Sequence, residues 1–142
     1  MSKEKIMTKL TKEQRQELIQ TANRVRANAY APYSNYPVGA ALLTSSGKIF
    51  TGVNVENAVY PLTMCAERSA VFSAVAAGEQ KFTAIAVATD NGGTPCGSCR
   101  QVLSEFGLDI KVLIVDGNEN VIQTTTVGEL LPGAFSGVDL PE

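Results

Sequence analysis

This chain of 142 residues contains no histidine and no tryptophan, and it has only three cysteines. An odd number of cysteines excludes a complete disulfide framework. No apolar run approaches the roughly 20 residues that a membrane-spanning helix needs. Charged residues make up 18% of the chain, and they are interspersed, with a net charge of −2. Because a basic block for a nucleic-acid backbone is missing, a small neutral or weakly polar substrate is the better expectation.

The start of the chain lacks the basic, apolar and small-residue pattern of a secretory signal, since residues 1–10 are polar and charged. We therefore expect a cytoplasmic protein whose thiols stay reduced. The length, with 44% hydrophobic residues, predicts one globular domain over residues 1–142. Residues 1–10 are predicted to be a frayed N-terminus.

Apolar segments separated by glycine, proline and polar turns predict three helices and five strands. Thr11 and Gln14 match a capping box, and apolar residues at helical spacing extend the first helix to about residue 29. Two further helices are predicted at 65–77, ended by Gly78, and at about 96–106. The predicted strands cover residues 38–44, 49–55, 82–89, 110–115 and 121–126.

The lengths of the connections predict how these strands pair. Tight turns at residues 45–48 and 116–120 make the strands on either side antiparallel neighbours. A helix between the strands at 82–89 and 110–115 makes those two parallel. The predicted fold class is therefore α/β, a three-layer α-β-α sandwich around a mixed five-stranded sheet.

The three cysteines are placed as metal ligands. Cys65 opens the run Cys-Ala-Glu-Arg, and Cys96 and Cys99 form a Cys-x-x-Cys pair. At a helix N-terminus, free N–H groups and the helix dipole favour the thiolate form. Three thiolates around one zinc leave a fourth position open for water, as a catalytic site requires. The sequence thus predicts one zinc per chain, held by Cys65, Cys96 and Cys99.

Other interpretations of these residues stay open at this point. Cys96 and Cys99 alone would also suit a redox pair, and Glu67 as a fourth ligand would make a closed structural zinc site. Glu67 is more readily interpreted as a proton shuttle beside the metal, although an acid in a first helical turn is favourable anyway. Three thiolates and Zn²⁺ sum to −1, so Arg68 is predicted to donate hydrogen bonds to the sulfurs rather than to be an exposed surface arginine.

The two cysteine motifs resemble the signature of the zinc-dependent cytidine deaminases. The match is closest to the small homotetrameric enzymes that act on free nucleosides, and it spans about residues 10–136. It also rests on four further segments with similar motifs, at residues 30–34, 38–42, 54–58 and 130–135.

The resemblance implies hydrolytic deamination of cytidine and 2′-deoxycytidine to uridine and 2′-deoxyuridine plus ammonia, in pyrimidine salvage. It implies zinc as the cofactor, with Cys65, Cys96 and Cys99 as ligands and Glu67 as the acid/base. It further implies a small-molecule nucleoside substrate and a homotetramer with shared active sites. Neither a nucleic-acid nor a membrane partner is expected.

The resemblance also assigns substrate-binding residues. Asn54 and Glu56 would bind the ribose hydroxyls, although without the resemblance they would be interpreted first as strand-end and turn residues. Tyr36, at a position that is often Phe in the family, would lie near the base together with Ala66. Phe135 would enter a neighbouring subunit's site, or else be a C-terminal core or interface aromatic. Gln101 and Arg68 would contact the metal ligands without binding the metal themselves.

Two other functions stay open from the sequence. One is deamination of a different cytosine nucleoside, such as an antibiotic, by the same fold. The other is a non-catalytic interaction domain stabilised by zinc in a closed four-ligand site. A deaminase that edits polynucleotides is disfavoured by the net charge of −2 and the missing basic groove.

Overall fold

The structure, a computed structural model, describes residues 9–141 and is built on one mixed five-stranded sheet. The sheet order is β2-β1-β3-β4-β5, in which β3 and β4 are parallel and every other neighbouring pair is antiparallel. The predicted pairing and the α/β fold class are thus confirmed. The strands are β1 Gly39–Thr44, β2 Ile49–Val53, β3 Phe82–Ala88, β4 Lys111–Val115 and β5 Val121–Thr126.

Within residues 9–141, four α-helices and two short 3-10 helices accompany the sheet. Both hydrogen bonds of the predicted capping box are present, from Thr11 N to Gln14 Oε1 and from Gln14 N to Thr11 Oγ1. The first helix ends before residue 29, because the chain turns there and Tyr30 forms a bridge with Val55. The α-helices are α1 Lys12–Arg26, α2 Ala66–Ala76, α3 Gly97–Ser104 and α4 Val127–Leu130, and the 3-10 helices are Tyr60–Leu62 and Gly137–Asp139. The sequence did not predict α4 or either 3-10 helix.

Helices cover both faces of the sheet, so β1, β3 and β4 are buried on both sides. Successive strand residues point to opposite faces, and the core divides accordingly. Leu42, Val87 and Ile114 belong to the cluster that packs against α2 and α3. Leu43, Ala86 and Leu113 belong to the cluster that packs against α1. Because β1, β3 and β4 are buried on both faces, their sequences are nearly continuous apolar runs.

The start of α2 lies directly against the sheet at Gly52. A Cβ at Gly52 would overlap the carbonyl oxygen of Ala66 and lie 2.5 Å from the backbone nitrogen of Ala70. The missing side chain therefore lets α2 begin in contact with β2, directly after Cys65, which is its N-cap. At its other end α2 is followed by Gly78, whose φ of +93° confirms the predicted stop.

Two further predictions concern the N-terminus and the presence of a membrane-spanning helix. Of the predicted frayed N-terminus, residues 1–8 lie outside the described residues, and Leu10 packs against the core beside α1. Within residues 9–141, no helix is both long and apolar enough to cross a membrane.

Candidate metal centre and active site

Three cysteine sulfurs meet where two helices begin. Cys65 is the N-cap of α2, Cys96 is the N-cap of α3, and Cys99 lies in the first turn of α3. The Sγ of Cys96 is 3.9 Å from that of Cys65 and 3.4 Å from that of Cys99, and all three sulfurs lie within 4.8 Å of one another. Tetrahedral zinc with Zn–S bonds of about 2.3 Å needs sulfurs about 3.8 Å apart. The residues therefore fit one zinc ion.

Two cysteines of this cluster have pKa values shifted in opposite directions. A hydrogen bond from the Cys99 thiol, and then the contact with Arg68, lower the pKa of Cys65 to about 5. The same contact with Cys65, together with burial, raises the pKa of Cys99. The contacts within the cluster thus favour the thiolate at Cys65 and the thiol at Cys99, and binding of a metal must displace the proton from Cys99.

Arg68 lies beside the sulfurs. Its Nη2 donates a hydrogen bond of 3.2 Å to Sγ of Cys65, and its Nε is buried without a hydrogen-bond partner in the described part of the chain. A guanidinium in this place offsets part of the negative charge that three thiolates bring to one site. The arginine is therefore part of the cluster, and the alternative of an exposed surface side chain does not hold.

Glu67 is buried next to the cluster, with 5% of its surface exposed. Burial in an apolar setting is the main reason that its pKa rises to about 7, and the negative charge of Cys65 acts in the same direction. A carboxyl group with a pKa near neutrality can both accept and donate a proton under physiological conditions. Glu67 therefore has the protonation behaviour that general acid/base chemistry needs.

A cavity of about 260 Å³ with mostly apolar walls lies beside the cluster. Of the residues predicted to bind substrate, Tyr36, Asn54 and Ala66 line it, and Glu56 and Phe135 do not. The described lining residues include no lysine or arginine. They are Tyr36, Val38, Asn54, Thr63, Met64, Cys65, Ala66, Glu67, Val87, Thr89, Gly93, Thr94 and Cys96.

Asn54 is buried and holds the loop that forms one cavity wall. Its Oδ1 accepts a hydrogen bond of 2.9 Å from Val38 N, and its Nδ2 donates one of 2.9 Å to the carbonyl oxygen of Tyr36. The Tyr36 hydroxyl donates a hydrogen bond of 2.7 Å to Asn91 Oδ1, in the loop that leads to Cys96. The structure thus gives Asn54 a structural role beside its predicted role toward ribose.

Glu56 lines a second cavity of about 260 Å³, which shares Thr63 with the first. Its carboxylate accepts hydrogen bonds from the Ser34 hydroxyl and from the backbone nitrogens of Tyr33 and Ser34. These bonds, chiefly the one from the Ser34 hydroxyl, hold the pKa of Glu56 below its ordinary value. A group extending from the first cavity toward Glu56 would therefore meet a fixed, ionised carboxylate.

Phe135 lies away from the cavity of its own chain, with 56% of its surface exposed. Its carbonyl oxygen accepts a hydrogen bond of 3.0 Å from Nε2 of Gln101 on α3. Gln101, which the resemblance assigned to the surroundings of the metal, thus orients the C-terminal segment from the same helix that carries Cys99.

Arg100 and Thr89 were missed as functional residues by sequence reasoning. The Arg100 guanidinium donates hydrogen bonds to the carbonyl oxygens of Pro95 and Leu130 at 2.8 and 2.9 Å, and one of 3.1 Å to the Thr94 hydroxyl. It thereby joins the loop before Cys96 to the C-terminal segment. The only available signal was the position of Arg100 directly after Cys99. The hydroxyl of Thr89, just after β3, accepts hydrogen bonds from the backbone nitrogens of Gly92 and Gly93. No sequence signal indicated this role, because it depends on how the following loop folds back.

Comparisons with known proteins agree with this geometry. A family model described as the cytidine and deoxycytidylate deaminase zinc-binding region matches residues 12–115. A cytidine deaminase of Halalkalibacterium halodurans is 49% identical over 130 residues, covering 89% of this chain and 97% of the relative. One of Sporosarcina psychrophila is 47% identical over 127 residues, covering 88% and 93%. The crystal structure of a cytidine deaminase from Burkholderia pseudomallei superposes with a TM-score of 0.81 at 50% identity, covering 84% of this chain and 98% of that one. The chain therefore belongs to the zinc-binding cytidine and deoxycytidylate deaminase family.

Proposed function

We propose that this protein hydrolyses the exocyclic amino group of cytidine and 2′-deoxycytidine, giving uridine or 2′-deoxyuridine and ammonia. The observation that carries the proposal is the buried carboxyl of Glu67 beside three sulfurs that fit one zinc ion, all facing one cavity. Relatives of high identity over most of the chain are cytidine deaminases.

Zinc, when bound by Cys65, Cys96 and Cys99, supplies Lewis acidity, which lowers the pKa of water enough to provide a nucleophile near neutral pH. Glu67 accepts the proton that water loses as its oxygen bonds to C4 of cytosine. The same carboxyl then delivers that proton to N3. It passes the remaining proton of the added water from the C4 hydroxyl to the amino group, which leaves as ammonia while the C4 carbonyl forms. A carboxyl whose pKa is raised to about 7 is suited to accept and release the proton in one cycle. Arg68 stabilises the thiolate of Cys65 through its hydrogen bond.

The electrostatics of the two cavities favour a nucleoside over a nucleotide. Among the described residues that line either cavity there is no lysine or arginine to neutralise a 5′-phosphate. The ionised carboxylate of Glu56 would instead accept hydrogen bonds from sugar hydroxyls and repel a phosphate. Asn54, which lines the first cavity, is the second residue proposed to bind ribose, while Tyr36 and Ala66 line the part proposed to take the base.

We further propose a homotetramer in which Phe135 completes the pyrimidine pocket of a neighbouring subunit. A large aromatic side chain that is mostly exposed and held at its backbone by Gln101 suits contact with a second copy. Other large apolar side chains are exposed as well, in keeping with an interface between subunits. They include Tyr30, Val55, Val59, Tyr60, Leu62, Val138 and Leu140. We place this single-domain enzyme in pyrimidine salvage in the cytoplasm.

Loss of cytidine absorbance after mixing with the purified protein tests the function directly. We expect turnover that stops when a strong chelator removes zinc and returns when zinc is restored. A panel of cytidine, 2′-deoxycytidine, 2′-deoxycytidine 5′-monophosphate and a cytosine nucleoside antibiotic tests the substrate class. Turnover of the monophosphate at the rate of the nucleosides would contradict the assignment of Glu56, and a protein that binds zinc but never releases ammonia would indicate an interaction domain instead.

A further inference from the structure

The hydroxyl of Tyr36 joins two walls of the candidate active site that have no regular secondary structure. One wall is the loop at residues 31–38, and the other is the loop at residues 90–95, which leads directly to Cys96. Tyr36 and Gly93 both line the cavity. The hydrogen bond of 2.7 Å from the Tyr36 hydroxyl to Asn91 Oδ1 therefore links the two loops beside the cavity.

Each loop is also tied to the protein from its own side. The hydroxyl of Thr89 accepts hydrogen bonds of 2.8 Å from the backbone nitrogens of Gly92 and Gly93. On the other wall, Asn54 Nδ2 donates to the carbonyl oxygen of Tyr36. The bond between Tyr36 and Asn91 thus connects two separately anchored loops, so its loss would change their relative position without unfolding either one.

The Tyr36 hydroxyl also lies directly over Gly93. A Cβ added at Gly93 would lie 2.5 Å from the Tyr36 hydroxyl oxygen, and the next nearest atoms would be Tyr36 Cζ at 3.7 Å and Asn91 Oδ1 at 3.8 Å. A methyl group at residue 93 would therefore make ordinary contacts if the hydroxyl oxygen were absent. The missing side chain of Gly93 and the hydroxyl of Tyr36 are complementary in size.

We propose that the Tyr36 hydroxyl is a positioning group, which holds the loop at residues 90–95, and with it Cys96, at its working distance from the opposite wall. A phenylalanine ring would preserve the apolar wall of the cavity and lose this link. The effect expected on kcat rests on the proposed function, because it is measured as turnover of cytidine.

Five variants test the link: Tyr36→Phe, Asn91→Ala, the two combined, Gly93→Ala, and Gly93→Ala combined with Tyr36→Phe. We would measure kcat and KM per zinc-loaded site, the rate of zinc release to a chelator, and the thermal unfolding midpoint. Tyr36→Phe and Asn91→Ala should each lower kcat about threefold to tenfold, the range expected for one lost hydrogen bond. The combined variant should be no worse than either alone. Asn118→Ala, at an exposed position of the turn between β4 and β5, is the matched control for Asn91→Ala and should change none of these quantities.

The size match between Tyr36 and Gly93 predicts the direction in which Tyr36→Phe changes the effect of Gly93→Ala. Gly93→Ala alone should lower kcat and speed zinc release, and adding Tyr36→Phe should recover part of both losses. Independent, multiplicative effects of Tyr36→Phe and Asn91→Ala would overturn the proposal, as would a Gly93→Ala defect that Tyr36→Phe does not relieve. A lower unfolding midpoint with unchanged kcat and zinc release would also overturn it, because it would show a merely structural bond. If the wild type fails to deaminate cytidine, the proposed function is wrong, and the zinc-release rates still decide the proposal.

Discussion

Glu67→Gln separates the proton chemistry of the site from its packing. Glutamine has nearly the size of glutamate, so the buried position beside Cys65 stays filled. The amide can carry neither the proton that passes from water to N3 nor the second proton that the leaving amino group takes up. General acid/base groups contribute about 10²–10⁴-fold to a rate, and a group that serves several proton transfers belongs at or above that range. We therefore expect kcat to fall by at least about 10³-fold, which corresponds to about 4 kcal/mol of activation free energy.

The same substitution should stabilise the zinc-free fold at alkaline pH. Burial raises the pKa of Glu67 from 4.5 to about 7. Well below pH 4.5 the carboxyl is neutral in the folded and the unfolded chain, so burial carries no charge penalty. As the pH rises from about 4.5 to about 7, the unfolded chain ionises while the buried carboxyl stays protonated, so this contribution to the free energy of unfolding is lost. The loss is about 3 kcal/mol above pH 8, and glutamine avoids it.

Cytidine turnover and urea unfolding of reduced, chelator-treated protein at pH 5.5 and 8.5 measure both effects. We expect Glu67→Gln to exceed the wild type in unfolding free energy at pH 8.5 by clearly more than at pH 5.5. Glu17→Gln, at an exposed position of α1, is the matched control and should alter neither turnover nor this difference. A Glu67→Gln protein that keeps a tenth or more of its turnover would refute the proton-transfer role, and an equal stability change at both pH values would refute the burial argument.

Three further predictions concern the metal, its neighbours and the assembly. Elemental analysis should find one zinc per chain, and thiol titration of the unfolded, zinc-free protein should find three free thiols; fewer of either would contradict the three-cysteine site. Arg68→Gln should lower kcat and shift the acid limb of the pH–rate profile, because the thiolates keep more negative charge without the guanidinium; an unchanged profile and turnover would exclude this role. A Phe135→Ala chain and a Glu67→Ala chain, each nearly inactive, should regain activity when dissociated and reassembled together. A fully active monomer in sedimentation, or a mixture no better than its parents, would contradict shared sites.

Local features of the fold were predictable because they depend on residues close together in the chain. The capping box at Thr11 formed as expected, since both of its hydrogen bonds lie within one helical turn. The tight turn at residues 116–120 made β4 and β5 antiparallel, and the helix between β3 and β4 made those strands parallel. The short helix α4 and the two 3-10 helices escaped prediction because they contain only three or four residues each, too few to show a period.

The candidate site was predictable in its chemistry and less so in its connections. Cysteines next to predicted helix starts indicated a metal cluster, and their sulfurs do meet at two helix N-termini. The place of Glu56 in a second cavity, and the bond from Gln101 to the Phe135 carbonyl, could not be inferred. Both depend on loops that carry no periodic pattern and whose course follows from contacts with distant residues.

The sequence by itself determined which groups are available: three thiols without histidine, an acid and an arginine beside the first of them, and helix signals that put Cys65 and Cys96 at N-termini. Only the tertiary structure decided how these groups act on one another. The sheet order β2-β1-β3-β4-β5 brings α2 and α3 onto one face, and so brings the sulfurs of residues 31 positions apart to within 3.9 Å. The same packing excludes water from Glu67 and thereby raises its pKa. Burial and distance are properties of the packed layers, because they depend on side chains that only the complete sheet brings together.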